Sequence, residues 1–363
     1  MKKISKRQVA METTKDKPGM TVGLDLGDRS SRYCVLNEAG EVMEEGRMQS
    51  TEAAFRRHFE GEPRQRVALE CGTHSPWVSR LLKSMGHQVI VANARKIPAI
   101  TGSQSKNDRN DAELLARFAA HDPRLLSPVQ HRSLERQQDL NLIQVRSTLV
   151  RARTMMANAL RGLVKSAGSR LPACSTQSLP VRATVAIPPA LTAVATPLIQ
   201  QMELLNQQIN AMDGQIENLA GKYPEIPLLR SAPGVGPVVA AAYVLTLDRP
   251  DAATNRSAGA FLGLRPAQSQ SGESDPQRRI SKAGDSYLRS LLVQSGQYIL
   301  GRFGPDSALR RWGLKLAQSG GKRGKKRAIV AVARKLAVLL HSMWRTGQSF
   351  QPFPHPPIDP TVV

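Results

Sequence analysis

Short apolar runs and period-two alternation mark the first third of the chain. Thr21–Leu26 reads as a strand, and Ser31–Leu36 and Glu41–Met48 flank the turn Asn37-Glu38-Ala39-Gly40 as a pair of strands. Thr51 is placed to cap a short helix ending at Phe59. Val67–Glu70 is a further strand, Trp77–Met85 a helix, Gln88–Ala92 a strand and Asp111–Ala120 a helix. The predicted order is βββαβαβα.

The period then changes. Leu142, Leu149, Met156 and Leu163 recur every seven residues, with Val145, Ala152 and Ala159 offset by three. Leu198, Met202, Leu205, Ile209, Met212, Ile216 and Leu219 step by four and three without a break. Both are seams of the coiled-coil type. The intervening 166–197 is rich in Ala, Ser, Thr and Pro and reads as a linker or loose tip. A long antiparallel hairpin is the simplest reading; seams pairing between subunits are the alternative. A third segment starts near Leu228, with Pro233-Gly234-Val235-Gly236-Pro237 ahead of an apolar helix, Val238–Leu247. Ala260–Pro266, a polar loop 267–279, a helix from Tyr287 and a last helix, Ala328–Trp344, follow. The expected organisation is a basic disordered arm (1–19), an α/β domain (20–125), a coiled-coil hairpin (126–222), a mainly helical domain (223–347) and a disordered proline-rich tail (348–363).

Charge narrows the partners. The 363 residues carry 51 Lys plus Arg against 29 Asp plus Glu, a net +22 spread along the chain. Phosphate backbones are the usual partner of such a surface, because each neutralised phosphate releases counterions. No apolar run approaches the ~20 residues of a spanning helix, so no membrane partner is expected. The charged start Met1-Lys2-Lys3-Ile4-Ser5-Lys6-Arg7 lacks the apolar core of a signal peptide. Cys34, Cys71 and Cys174 are odd in number and far apart, which fits a reducing, cytoplasmic setting and gives no zinc spacing. At 4% aromatic residues, base stacking is not expected to be the main mode of nucleic-acid binding.

Against that basic background four acids stand out. Asp25 closes the run Thr21-Val22-Gly23-Leu24 and Glu70 closes Val67-Ala68-Leu69; Asp108 and Asp111 lie three apart at the start of a predicted helix. The order of elements is that of the RNase H-like fold, and in open sheets the site lies at the carboxyl ends of strands. Two divalent ions about 4 Å apart, held by acidic oxygens, clamp the attacking and leaving oxygens of a phosphodiester. Each acid alone has a plainer explanation. Gly23–Gly27 also suits an actin-like nucleotide loop, Glu70 a surface acid, and Asp108 with Asp111 a helix-dipole pair. Spacing i, i+3 puts the last two on one helix face, and order with spacing favours a site.

Other motifs are weaker. Pro233–Pro237 suits the hairpin of a helix-hairpin-helix element, with Gly234 and Gly236 letting backbone N–H groups approach a phosphate; an ordinary helix-connecting turn is the alternative. Lys322, Arg323, Lys325, Lys326 and Arg327 put five positive charges in six residues, which favours a phosphate contact over a solvated helix start. Lys106 and Arg109 beside the aspartates, and Arg278, Arg279 and Lys282 around the polar loop, complete the candidate nucleic-acid contacts. Ser271, in Ala267-Gln268-Ser269-Gln270-Ser271-Gly272-Glu273, is on the residues alone one loop serine among many, since no histidine base is near in sequence.

Taken together, these residues resemble the DEDD-type transposases of bacterial insertion sequences, the bridge-RNA-guided recombinases, over roughly residues 20–348. The family's first Asp matches Asp25 in Gly-Leu-Asp, its Glu matches Glu70 in Glu-Cys-Gly, and its late aspartates match Asp108 and Asp111 in Lys-Asn-Asp-Arg-Asn-Asp-Ala. Pro-Gly-Val-Gly, Phe-Leu-Gly-Leu-Arg-Pro, the Ser-Gly pair and Arg-Ile-Ser-Lys-Ala-Gly match landmarks of its C-terminal half. The resemblance implies a RuvC-like (Holliday-junction-resolvase-like) domain, a coiled coil and a C-terminal transposase domain. It implies Mg²⁺, with Mn²⁺ as a substitute, on the four carboxylates, and a serine nucleophile whose register selects Ser271 with Ser269 as competitor. It also implies donor and target DNA, a structured noncoding bridge RNA, a homodimer or tetramer with a serine from a neighbouring subunit, and a nucleoid-associated location. The segment 166–197 is longer and richer in Pro and Ala than a minimal hairpin needs, and the resemblance assigns it no role. The rival readings are a junction endonuclease that uses water and a non-catalytic nucleic-acid scaffold.

Overall fold

Apolar residues alternating along three successive strands build the start of a mixed sheet. The computed structural model describes residues 19–93, 108–251, 254–268, 270, 271, 274, 276, 278–319 and 321–353, except the side chains of positions 108, 109, 255, 256 and 322. Strands β1 (Thr21–Asp25), β2 (Ser30–Leu36) and β3 (Val42–Gln49) form an antiparallel meander. Helix α1 (Glu52–Phe59), capped by Thr51, leads to β4 (Arg66–Glu70), and α2 (Ser75–Ser84) leads to β5 (Gln88–Ala92). Strand β4 lies parallel to β1 and to β5, giving the order β3-β2-β1-β4-β5. Val129 pairs with Val91 on the outer edge of β5.

Period two sorts the two faces. Val22, Leu24, Val67 and Leu69 pack against Phe55, Phe59, Val78 and Leu82 of α1 and α2. On the opposite face Ala68, Ile90 and Ala92 meet Leu115 and Ala119 of α3 (Asp108–His121), and Cys34 and Leu36 meet Ala112 and Ala116. This is the RNase H-like arrangement, and α3 starts three residues earlier than its apolar pattern suggested. The chain divides into two compact units, Met1–Arg132 and Ser133–Val363.

The second unit is mainly helical. Helices α4 (Leu134–Ser166) and α6 (Thr192–Lys222) pair with each other within the chain, so the seams pair inside one chain. On α6 the expected seam is the observed one, with Met202, Leu205, Ile209, Ile216 and Leu219 buried. On α4 it is rotated. The buried positions are Leu140, Ile143, Ala157, Leu160 and Val164, while Val145 is exposed. The physical reason is polar residues in the true seam. Arg146 donates to Asp213, and Arg153 Nη1 donates to Asn206 Oδ1 at 2.7 Å. Following apolar residues alone moves the stripe round by about one position.

Residues 166–197 also differ from the expected linker. They contain α5 (Leu179–Ala186) and the first turn of α6, and Leu179, Ala183 and Ala195 close a small core with Ala157, Leu160, Ile199 and Met202. Alanine and proline here pack a tip. Next come α7 (Glu225–Arg230), α8 (Pro237–Leu247), α9 (Asn255–Phe261), α10 (Ser286–Leu300), α11 (Ala308–Ser319) and α12 (Gly324–Thr346). Helix α8 is buried from Ala240 to Leu247, and Tyr243 Oη donates to the Ala337 carbonyl at 2.7 Å. Leu140, Ile143, Ile216 and Leu219 belong to the same core, so the base of the hairpin is rooted there. The start of the expected disordered tail is held in place. Phe350 N donates to Ser231 Oγ at 3.0 Å, and Ala308 N donates to the Pro352 carbonyl at 2.8 Å. The expected arm up to residue 18 and the tail from 354 lie outside the described residues.

Candidate active site

Strand register brings the first two carboxylates together. Leu24 of β1 is paired with Leu69 of β4 in parallel, so Asp25 and Glu70 are the next residues at adjacent carboxyl ends. Neighbouring strands lie about 4.8 Å apart. Alternation turns both acids to the face of Gly23 and Ala68, the face that α3 covers.

The direction of α3 follows from one hydrogen bond. Arg66, at the start of β4, donates from Nη1 to the Ala119 carbonyl at 3.1 Å. The last turn of α3 therefore sits at the amino end of β4, and its first turn sits at the carboxyl end with Asp25 and Glu70. Asp111 lies one turn before buried Leu115, and position 108 one turn before buried Ala112, so both fall on the sheet side of the helix. Gly23 sets how close the helix comes. A Cβ built there would overlap the Ala112 carbonyl oxygen and reach within 2.6 Å of Ala116 N. The glycine read as part of a weak loop motif is thus a helix-packing contact that lets α3 lie close on β1.

Asp25, Glu70 and Asp111 are each engaged by neighbouring groups. Among the described residues no three His, Cys, Asp or Glu side chains stand together as a cation cage. The Asp108 side chain, Lys106 and the Arg109 side chain lie outside the described residues. Asp25 and Glu70 end adjacent strands and Asp111 lies in the first turn of α3 on the same face; carboxylate is the donor chemistry of a hard divalent cation, although the described side chains do not close a cage around one.

The loops beyond these strand ends are tied down. Ser75 Oγ accepts from Gly72 N at 3.0 Å, donates to the Gly72 carbonyl at 2.8 Å, and lies 2.9 Å from His131 Nε2. Burial and then the nearby Arg80, Lys83 and Arg132 charges push the His131 pKa below its ordinary value. The neutral ring therefore holds the segment after Glu70. Trp77 Nε1 donates to His74 Nδ1 at 3.0 Å, and His74 Nε2 lies 3.6 Å from Asp28 in the turn after β1.

In the C-terminal unit, Ser271 sits on a two-stranded ribbon. Lys282 N bonds the Gly263 carbonyl, Ser281 N the Arg265 carbonyl and Ala267 N the Arg279 carbonyl, at 3.1, 2.9 and 2.9 Å. Farther out, Ser271 and Ser274 exchange reciprocal backbone bonds of 3.1 and 3.0 Å. Gly263, at φ +67°, lets the base close, since a Cβ there would overlap Ala283 backbone atoms. Ser271 is exposed, as are Arg265, Arg278, Arg279 and Lys282 along the ribbon. Ser269 lies outside the described residues. Arg323, Lys325, Lys326 and Arg327 are exposed at the start of α12, while the Lys322 side chain is outside the described set. Gly234 packs on α10, where its carbonyl accepts from Ser295 Oγ at 2.7 Å, and Gly236 is the exposed N-cap of α8.

Comparison with known proteins decides the family. A profile of the IS110-type DEDD transposases, described as Transposase, matches residues 22–168, and one described as Transposase IS116/IS110/IS902 family matches residues 226–311. A probable family 20 transposase of Pseudomonas aeruginosa is 31% identical over 342 residues, covering 91% of this chain and 98% of the relative. The chain belongs to the IS110-family DEDD transposases. The transposase is similar also to the transposase for insertion sequence element IS1111A of Coxiella burnetii, 26% identical over 343 residues and 91% of each chain. It is 24% identical over 352 residues to the pilin gene-inverting protein of Moraxella bovis, covering 91% of this chain and 97% of that one. The transposase is thus a DNA-cleaving and DNA-joining enzyme. Among the described residues no helix is long and apolar enough to cross a membrane. The packing role of Gly23 and the ribbon carrying Ser271 escaped sequence reading. A glycine before an acid at a strand end signals the first, and Gly263 and Gly284 bracketing a polar stretch signal the second.

Proposed function

We propose that this transposase excises and inserts its element by serine-mediated strand exchange directed by an RNA. Asp25, Glu70, Asp108 and Asp111 would hold Mg²⁺, or Mn²⁺ in its place. When bound, the ion supplies charge to a scissile phosphate and lowers the cost of deprotonating an attacking hydroxyl. Ser271 Oγ forms a bond to phosphorus as the ester bond to the departing strand breaks. The departing oxygen leaves as a hydroxyl carrying the proton, and the phosphate stays on the serine. Reversal with a different strand end rejoins DNA without loss of a high-energy linkage. The observation that carries this reading is the exposed Ser271 at the outer end of a ribbon that carries the exposed Arg278, Arg279 and Lys282 toward its base, cations that suit phosphate contact. The serine would serve the carboxylates of a neighbouring subunit, so the working form is a homodimer or tetramer.

The exposed cations at Arg278, Arg279, Lys325, Lys326 and Arg327 suit backbone contact, which positions a duplex without reading its sequence. Base pairing with a structured noncoding RNA then supplies site choice, as the family resemblance implies. Recombination between donor and target plasmids tests this. Protein with the element's RNA should recombine them at one site, and altered guide loops should redirect it. Site-specific recombination by RNase-treated, RNA-free protein would contradict RNA guidance.

A further inference from the structure

On α11, on α12 and in the segments just before α11 and after α12, three exposed aromatic rings each carry a cation. Phe303 is 70% exposed, Trp312 38% and Phe353 47%. Each carries a cation against its ring: Arg302 lies 4.4 Å from the Phe303 centroid, Lys335 4.4 Å from Trp312, and Arg311 4.8 Å from Phe353. Arg311 and Trp312 are neighbours on α11, and Lys315 continues the exposed stripe one turn on. The Phe353–Arg311 and Trp312–Lys335 pairs are thus built on adjacent positions of α11. Asp306 holds the Arg311 guanidinium from Nη2 at 2.5 Å and is the acid within this patch. Toward the C-terminal end of α11, Gly324 packs on the Ala317 carbonyl and begins the run Lys325–Arg327.

We infer that these exposed ring–cation pairs bind unpaired nucleotides, stacking bases on Trp312 and Phe303 while Arg302, Lys315 and Lys335 meet the phosphates. A duplex presents its backbone to such a surface and keeps its base faces stacked inside. A single strand offers both a base face for each ring and a phosphate for each cation. Exposed rings with cations already at their faces suit the second partner. Phe55, Phe59 and Tyr243 are fully buried, and Phe261 and Tyr298 are exposed elsewhere; what sets Phe303, Trp312 and Phe353 apart is exposure together with a cation at the ring face. The inference rests on the enzyme handling nucleic acid, as its family does, and assigns the strand chemistry of this patch. Unpaired DNA and unpaired RNA share that chemistry.

The test is fluorescence anisotropy of full-length protein with short labelled oligo(dT), oligo(U) and a mixed-sequence duplex. Trp312→Ala combined with Phe303→Ala should weaken one or both oligonucleotides about tenfold or more and leave duplex affinity within about twofold. Trp312→Phe, which keeps a ring, should stay near wild type, which separates stacking from misfolding. The oligo(dT) and oligo(U) arms tell which strand is preferred. Unchanged affinity for both oligonucleotides in the double variant overturns the inference. So does an equal loss on the duplex, or a loss that Trp312→Phe shares in full. Duplex binding and duplex cleavage retained in the double variant keep the transposase reading separate from this result.

Discussion

Removing one anionic oxygen from a strand end changes little volume and no packing, which makes the four acids separable from the fold. Asp25→Asn, Glu70→Gln, Asp108→Asn and Asp111→Asn should each lower strand cleavage by about 100-fold or more. Melting temperatures should stay within a few degrees of wild type. Near-normal cleavage in two of them, measured in Mg²⁺, would contradict the site. Gly23→Ala makes the opposite prediction. Its Cβ would overlap the Ala112 carbonyl, so α3 must move. We expect a loss of about 1–3 kcal/mol, as for overpacking, with reduced cleavage although no acid is touched. Urea unfolding checks it, and an unchanged midpoint would count against this account of the close approach. Asp25 and Glu70 stand out in the sequence because they end apolar runs in a basic chain, and Asp108 and Asp111 because they lie three apart at a helix start. The reason for Gly23 was not legible there, because it depends on a helix about ninety residues later in the chain.

The elements were legible where one face is apolar and the other polar. Period two located five strands, and the four-three steps of α6 located its seam. The α4 seam was misread because Arg146 and Arg153 occupy it. Burial opposes the Arg146 charge, but the hydrogen bonds it donates to Asp213, the Asp213 charge and Tyr287 together outweigh this and hold its pKa above the ordinary arginine value. A buried charge with a matching partner is tolerated where an unpaired one is not. Leu205→Asp with Ile209→Asp would place two carboxylates in that seam without partners. We expect a loss of at least about 3 kcal/mol, seen as a lower melting temperature. An unchanged melting curve would contradict the intrachain pairing. The tip was misread for a different reason. Proline and alanine over 166–197 look like a linker, yet short alanines let α5 pack closely on the hairpin.

For the protein as it acts on DNA, charge and metal make separable contributions. A net +22 implies that affinity for random duplex falls steeply with salt, with a slope set by the number of phosphates contacted. Chelating divalent metal should stop cleavage while leaving most duplex binding, because the exposed cations act without it. Loss of binding and cleavage together on chelation would contradict that division. The proposed guidance by RNA and the proposed oligomer rest on family resemblance alone, since base pairing and subunit symmetry leave no local pattern in one chain. Whether a serine takes the phosphate can be read from one denaturing gel. Wild-type protein, labelled donor DNA, Mg²⁺ and RNA should give a DNA-linked protein band that Ser271→Ala and Asp25→Asn both lose. A band that persists in Ser271→Ala, or free cut ends with no linked protein in the wild type, would contradict the account.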